Sequence, residues 1–113
     1  MKLVTYGNAM GQVLQHILYA GRMRTLMQTV FADGRTLALL VLDRDGGVYE
    51  KVSVCPQDVV LEDDEVWVKA WSLELLQMEA LWSTGLFEDT GKVLESGFVE
   101  GPVWRLVGPA WRP

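Results

Sequence analysis

The stretch that decides the fold spans residues 59–91, VVLEDDEVWVKAWSLELLQMEALWSTGLFEDTG. It contains an acidic turn, then a segment in which small and large side chains alternate, then an apolar segment. The alternation predicts a β-strand over residues 66–71, because successive side chains of a strand point to opposite faces. We expect the face with the small aliphatic side chains to be the one in the core. That face bears Val66, Val68 and Ala70, and the opposite face bears Trp67, Lys69 and Trp71.

The apolar segment that follows predicts a helix over residues 73–83. Ser72 has a hydroxyl that can accept a hydrogen bond from the first free amides, and Glu74 places negative charge where the helix dipole favours it. Gly85 marks the predicted end of the helix. Apolar side chains surround most of its circumference, so we expect the helix to be mostly covered by the sheet or by a partner.

Nearer the N-terminus, the sequence predicts a second helix. Asn8 can cap it and Gly21 can end it, and between them apolar residues recur at steps of three and four. These apolar residues are Met10, Val13, Leu14, Ile17 and Leu18. The lone histidine, His16, falls outside this stripe, so we expect it at the helix surface without catalytic or metal-binding partners.

The remaining segments predict strands. Residues 24–31 and 35–43 flank Asp33-Gly34, a strong hairpin signal, and residues 48–54 return as a third strand. Residues 37–42 are apolar on both faces, which predicts a central strand covered on both sides by helices. A short hairpin is expected about Ser96-Gly97. The predicted fold is therefore α+β, a single domain over residues 1–113 with an antiparallel meander of five to six strands and two packed helices.

Composition and charge restrict the class of protein. Half of the 113 residues are hydrophobic, no apolar run is long enough to cross a bilayer, and the single Cys55 cannot form an internal disulfide. These features predict a cytoplasmic protein. The net charge of −5 is uneven, because residues 1–53 carry six Lys or Arg against four acids, while residues 54–113 carry four against eleven. Such acidity disfavours direct nucleic-acid or membrane binding and favours a basic partner.

The densest charge run lies just before the predicted strand and comprises Asp58, Glu62, Asp63, Asp64 and Glu65. It is either a solvated turn that protects a sheet edge or a surface that imitates phosphates. The templates for catalysis find no match: the chain has no nucleophile elbow, no nucleotide-binding glycine pattern and no calcium loop. We therefore predict no catalytic residues, metal site or cofactor, although an enzyme of unrecognised type that pairs Cys55 with His16 stays an alternative.

Several of these segments together resemble a family of small uncharacterised proteins, a domain of unknown function, carried by phages and conjugative elements. The resemblance covers residues 35–107 and is carried by turn glycines, aromatic residues and strand patterns. The segments are LEDDEVWVK at 61–69, AL at 80–81, GLF at 85–87, TG at 90–91, SGFV at 96–99, PVWRL at 102–106 and the strand-turn-strand at 43–56.

The resemblance implies a non-enzymatic protein of a mobile genetic element that inhibits a host defence system, of the anti-CRISPR or antirestriction type. The expected partner is a host protein with a basic surface, such as a CRISPR effector or a restriction nuclease. We expect the five acids of the run to form the docking surface, with Trp67, Trp71 and Trp111 as apolar anchors. The alternative is a homo-oligomeric regulatory or housekeeping module, a homodimer that pairs its tryptophan face with a second copy.

Overall fold

The computed structural model describes the backbone of residues 3–6 and 9–107 and the side chains of residues 11–107. Over this part of the chain the protein forms nine strands and one helix. The strands are β1 (Leu3–Tyr6), β2 (Ala9–Tyr19), β3 (Arg22–Val30), β4 (Leu37–Leu42), β5 (Val48–Lys51), β6 (Ser53–Val54), β7 (Glu65–Val68), β8 (Phe87–Ser96) and β9 (Val99–Leu106), and the helix is α1 (Leu75–Trp82).

The strands form two antiparallel sheets. The first is a five-stranded meander in the order β1-β2-β3-β4-β5, and the second has the order β6-β7-β9-β8. Val52 joins them, because its amide donates to the Leu39 carbonyl at 3.0 Å while its own carbonyl accepts from the Lys69 amide at 3.0 Å. The protein is thus mostly β, with one helix and two sheets in the described residues, and the predicted single meander with two helices is not found.

The main core lies between the two sheets. The first sheet contributes Ile17, Tyr19, Leu26, Leu37, Leu39 and Val41, and the second sheet and the helix contribute Val66, Val68, Leu81, Phe87, Trp104 and Leu106. The predicted core face of β7 is therefore confirmed. The outer faces carry smaller clusters, around Met27 on the first sheet and around Trp67 on the second. Both faces of β7 are consequently buried, which the alternation of residue sizes does not reveal.

The predicted N-terminal helix is wrong, because this segment is β2. The register between β2 and β3 shifts between Val13 and Gln15, so Leu14 occupies a β-bulge. A bulge adds one residue to one strand and thereby interrupts the period of two. Apolar residues on either side of it fall three and four positions apart, which imitates a helical stripe. His16 is exposed as expected, but on a strand, where it lies opposite Thr25.

The helix predicted over residues 73–83 exists but is shorter and less covered than expected. It begins after Glu74 rather than after Ser72, and the Gln77 side-chain oxygen accepts from the Glu74 amide at 2.8 Å. Leu75 and Leu76 are each 75% exposed, and Leu81 is the one fully buried residue of the helix. No helix within the described ranges is long and apolar enough to cross a membrane.

The strand predictions for residues 37–42 and about Ser96-Gly97 are largely confirmed. All six residues of β4 are buried, although the main core face of β4 packs on the second sheet rather than on a helix. The β8–β9 hairpin forms as predicted, but it turns at Gly97 and Phe98, one residue beyond the predicted Ser96-Gly97. In the loop between β3 and β4, only Gly34 has a positive φ, of 70°. Asp33 accepts from the Arg35 and Thr36 amides instead, at 2.9 and 2.8 Å.

Candidate functional site

The predicted acidic surface does not form as one unit, because Glu65 is fully buried. Its Oε1 accepts from the Glu62 amide at 2.9 Å, and its Oε2 lies 2.5 Å from Lys92 Nζ. Burial raises the pKa of Glu65, but the hydrogen bonds from Lys92 and from the Glu62 amide, together with the charges of Lys92 and Arg105, lower it below its ordinary value. The expectation that Glu65 faces a partner is therefore wrong. It is a buried structural charge at the start of β7, where it binds the turn that precedes the strand.

A bulge in β8 positions the cation of this pair. The register with β9 shifts between Asp89 and Val93, and Gly91 within the bulge has a φ of 80°. A non-glycine residue rarely adopts such a conformation. The Thr90 hydroxyl donates to the Val103 carbonyl at 2.7 Å and holds the bulge against β9. Lys92 follows directly, so the bulge directs its ammonium group to the Glu65 carboxylate.

The other four acids of the run are exposed or half-exposed. Asp64 lies 3.2 Å from Arg105 Nε, and Asp63 lies 3.6 Å from Arg35 Nη2. Asp58 and Glu62 make no ion pair with the described residues, and both are exposed. The chain thus provides cations of its own for three of the five predicted docking carboxylates.

The predicted tryptophan anchors are also less accessible than expected. Trp67 is buried, and its Nε1 donates to the Gly101 carbonyl at 3.2 Å. Trp71 is half-buried, with its ring centroid 5.1 Å from that of Trp67. Trp111 lies outside the described residues. Trp67 therefore serves the core of the second sheet, and the expectation that it faces outward as an anchor is wrong.

Most of the carboxylates without a cationic partner in the described residues lie on the second half of the chain. Within residues 54–107, eight acids form no ion pair with any described residue. They are Asp58, Glu62, Glu74, Glu79, Glu88, Asp89, Glu95 and Glu100. No Lys or Arg of the same range is unpaired, because Lys69, Lys92 and Arg105 each contact a carboxylate. This half of the described molecule therefore presents uncompensated negative charge.

The β8–β9 hairpin concentrates part of this charge at its end. Glu95 and Glu100 are direct cross-strand partners, and both are exposed. Phe98 lies between them in the turn and is completely exposed. We call residues 93–100 the acidic hairpin tip. The predicted turn at Ser96-Gly97 would place Glu95 opposite Phe98, so the pairing of the two glutamates becomes visible only with the observed turn at Gly97 and Phe98.

A second surface, of opposite sign, lies at the end of the first sheet where the β2–β3 and β4–β5 turns are neighbours. It is a cleft of about 790 Å³ lined by His16, Arg22, Met23, Arg24, Thr25 and Arg44. We call it the arginine cleft. The sequence signal for it is weak, because Arg44 joins the other residues only through the register of β3 with β4.

The structure does not assemble an evident catalytic or metal centre from the described residues. In that part of the chain, no group of three or more His, Cys, Asp or Glu is arranged to hold a metal ion. Cys55 Sγ lies 3.9 Å from Asp33 Oδ2, in the β3–β4 turn, whereas His16 hydrogen-bonds Thr25 near the opposite end of the sheet. The alternative that pairs Cys55 with His16 is therefore not supported.

Comparison of the chain with models of known protein families, with curated proteins and with solved structures finds no match. The resemblance to phage and conjugative-element proteins consequently stays a prediction from the sequence. The functional argument depends on the two charged surfaces of the molecule itself.

Proposed function

We propose that this protein is a non-enzymatic binding protein that docks the acidic hairpin tip onto a basic partner protein. The observation that carries the proposal is the direct pairing of Glu95 with Glu100 beside a completely exposed Phe98. Like charges directly opposite each other on a hairpin cost roughly 0.2–1 kcal/mol of stability. A cationic partner that sits between the two carboxylates would remove this cost.

The surroundings of the tip favour a protein over other partners. The chain has a net charge of −5, and the second half of the described molecule has no unpaired cation, so a polyanion or an anionic membrane would be repelled from this side. Phe98 supplies an apolar group that can enter a pocket, while the two glutamates supply orientation and long-range attraction. Asp58 and Glu62 of the predicted docking surface are also exposed and without an ion pair among the described residues.

A more specific proposal, about which protein is the partner, rests on the resemblance alone. In that proposal the partner is a nucleic-acid-handling protein of a host defence system, such as a CRISPR effector or restriction nuclease, and docking inhibits it. Carboxylates that occupy a phosphate site are one way in which such inhibition can work. Expression of the protein in a host with an active defence system should then raise the plating efficiency of a targeted phage.

The binding proposal is tested by affinity capture followed by a measurement on the captured partner. Immobilised protein is exposed to nuclease-treated host lysate at salt concentrations of about 0.05 M and 0.5 M, which span strong and weak screening. Retained proteins are identified by mass spectrometry and the affinity for the main one is measured. We expect a basic protein that is retained only at low salt.

The variant Glu95→Lys separates binding from stability. It replaces the repulsive pair by an attractive one, so the hairpin should become more stable by roughly 0.5 kcal/mol while partner binding weakens. Glu79→Lys, at an exposed and unpaired glutamate of the helix, is the control with the same charge change. An acidic captured partner, or equal affinities for wild type and Glu95→Lys, would refute the proposal. A stable dimer of the purified protein whose interface covers Trp67 and Trp71 would instead support the homo-oligomeric alternative.

A further inference from the structure

The arginine cleft collects most of the unpaired cations of the described chain. Arg22 and Arg44 are exposed and have no carboxylate within 4.0 Å among the described residues. Lys51 is the remaining described cation without an ion pair, and it lines a different depression near the β3–β4 turn. On a chain of net charge −5, two free guanidinium groups at one cleft form a local positive site.

A third arginine holds the cleft in shape. The Arg24 side chain is buried, and its Nε lies 2.9 Å from Asp43 Oδ1. Its Nη1 donates to the carbonyl oxygens of Tyr19 and Ala20, and its guanidinium lies 3.6 Å from the centre of the Tyr49 ring. Arg24 thereby ties the end of β2 to the end of β4. The two turns that carry Arg22 and Arg44 are consequently fixed relative to each other before any ligand binds.

Two further contacts organise the cleft. His16 Nδ1 hydrogen-bonds the Thr25 hydroxyl at 3.0 Å, which orients the imidazole ring at the wall. Asp45 Oδ1 accepts from the Gly47 amide at 2.9 Å, so this carboxylate is engaged within its own turn rather than with Arg44. The nearby acids therefore do not neutralise Arg22 or Arg44 by direct contact.

We propose that the arginine cleft binds a small ligand that carries two or more phosphate charges, with Arg22 and Arg44 as the ligating groups. Arg24 acts as a positioning residue. The planar guanidinium group matches the oxygen geometry of phosphate, and two of them can contact adjacent phosphates. The volume of about 790 Å³ suits a small molecule. The unpaired acids elsewhere on the molecule disfavour a long polyanion, whereas a small ligand lies within the local field of the cleft.

The experiment is a calorimetric titration of the full chain with pyrophosphate and, separately, with ADP. We expect saturable binding of both, with Arg22→Gln and Arg44→Gln each weakening affinity by about ten-fold, as for loss of one charge-assisted hydrogen bond. Lys51→Gln is the matched control, since it removes an exposed and unpaired cation outside the cleft. All three variants should unfold at nearly the wild-type denaturant concentration because none of the three side chains has an ionic partner.

The two probes separate the sources of the phosphate charge. Tighter binding of ADP than of pyrophosphate would assign the ligand to the nucleotides, and the reverse order would assign it to free pyrophosphate or a compact phosphate ester. No saturable binding of either probe below about 1 mM, the weak end of specific affinities, would overturn the proposal. So would an equal loss of affinity in Lys51→Gln, or a single-stranded oligonucleotide that binds more tightly than both probes. None of these results depends on the acidic hairpin tip.

Discussion

Lys92 stabilises the protein because it neutralises a carboxylate that has no access to water. Glu65 is 0% exposed, and Lys92 Nζ lies 2.5 Å from its Oε2, while the Lys92 side chain is 52% exposed. In Lys92→Met the carboxylate stays buried and loses this partner. Breaking a fully buried pair typically costs 3–5 kcal/mol, but Lys92 is half-solvated and Arg105 still acts on Glu65, so we expect a loss of about 2 kcal/mol at neutral pH.

The pH dependence of this loss identifies its cause. In the wild type the pKa of Glu65 lies below its unfolded value, so the stability that this group contributes is present above the unfolded pKa and is lost as the pH falls through the folded pKa. In Lys92→Met both contributions of Lys92 that lower the pKa of Glu65 are lost while burial stays, so the pKa of Glu65 should rise above its unfolded value. The difference in stability between the two proteins should therefore be largest near neutrality and should shrink as the pH falls below about 4.

The assay is urea denaturation followed by tryptophan fluorescence, once near neutral pH and once below about pH 4. The control is Lys51→Met, which removes an exposed lysine without an ionic partner and should change the free energy of unfolding by less than about 0.5 kcal/mol. Adding Glu65→Gln to Lys92→Met should restore part of the lost stability, because the buried charge is then gone. A loss below about 0.5 kcal/mol, or an equal loss at both pH values, would refute the account of Glu65 as a buried charge.

Three further variants test other features of the fold. Ala20 has a φ of 52° and precedes Gly21, which has a φ of 83°, so the alanine is strained in this turn. Asparagine adopts such a conformation more readily, so Ala20→Asn should stabilise the protein by about 1 kcal/mol in urea denaturation. An unchanged unfolding midpoint would show that Ala20 is not strained. Gly101→Ala would place a Cβ atom 2.3 Å from the Val68 carbonyl oxygen. The variant should therefore be less stable than the wild type by more than about 2 kcal/mol. Near-wild-type stability would mean that β7 and β9 can move apart at this point. Burial, and after it the Glu50 carboxylate, raises the pKa of the Tyr19 hydroxyl well above its ordinary value. Because the pKa is higher in the folded than in the unfolded state, the wild type should lose stability relative to Tyr19→Phe as the pH rises above about 10. Parallel curves of unfolding free energy against pH for the two proteins would count against this.

The uneven distribution of charge along the chain was visible in the sequence, but which of the acids are free to contact a partner was not. Replacing the whole acidic run would combine loss of the exposed Asp58 and Glu62 with loss of the buried Glu65. A fall in binding by such a variant would then report partial unfolding as much as loss of a docking surface. Glu95 and Glu100 avoid this ambiguity, because both are exposed and neither makes an ion pair within the described chain.

The sequence predicted those strands in which apolar side chains alternate without interruption and whose turns contain glycine. The core face of β7 was predicted correctly for Val66 and Val68, as was the buried strand β4, and the β8–β9 hairpin was predicted with its turn one residue too early. The helix predicted over β2 was wrong because the bulge at Leu14 interrupts that alternation. The helix α1 was predicted to be mostly covered, but its apolar composition does not reveal that only one turn meets the core.

By itself, the sequence determined the extended segments other than β2, the approximate positions of the turns and how unevenly the charge is distributed along the chain. The tertiary structure decided which charges are neutralised and which stay free. Lys92 reaches Glu65 only through the β8 bulge, and Arg22 and Arg44 line one cleft only through the register of three neighbouring strands. The physical reason is that an ion pair forms over a few ångströms between residues remote in sequence, so strand order and register determine it rather than local composition.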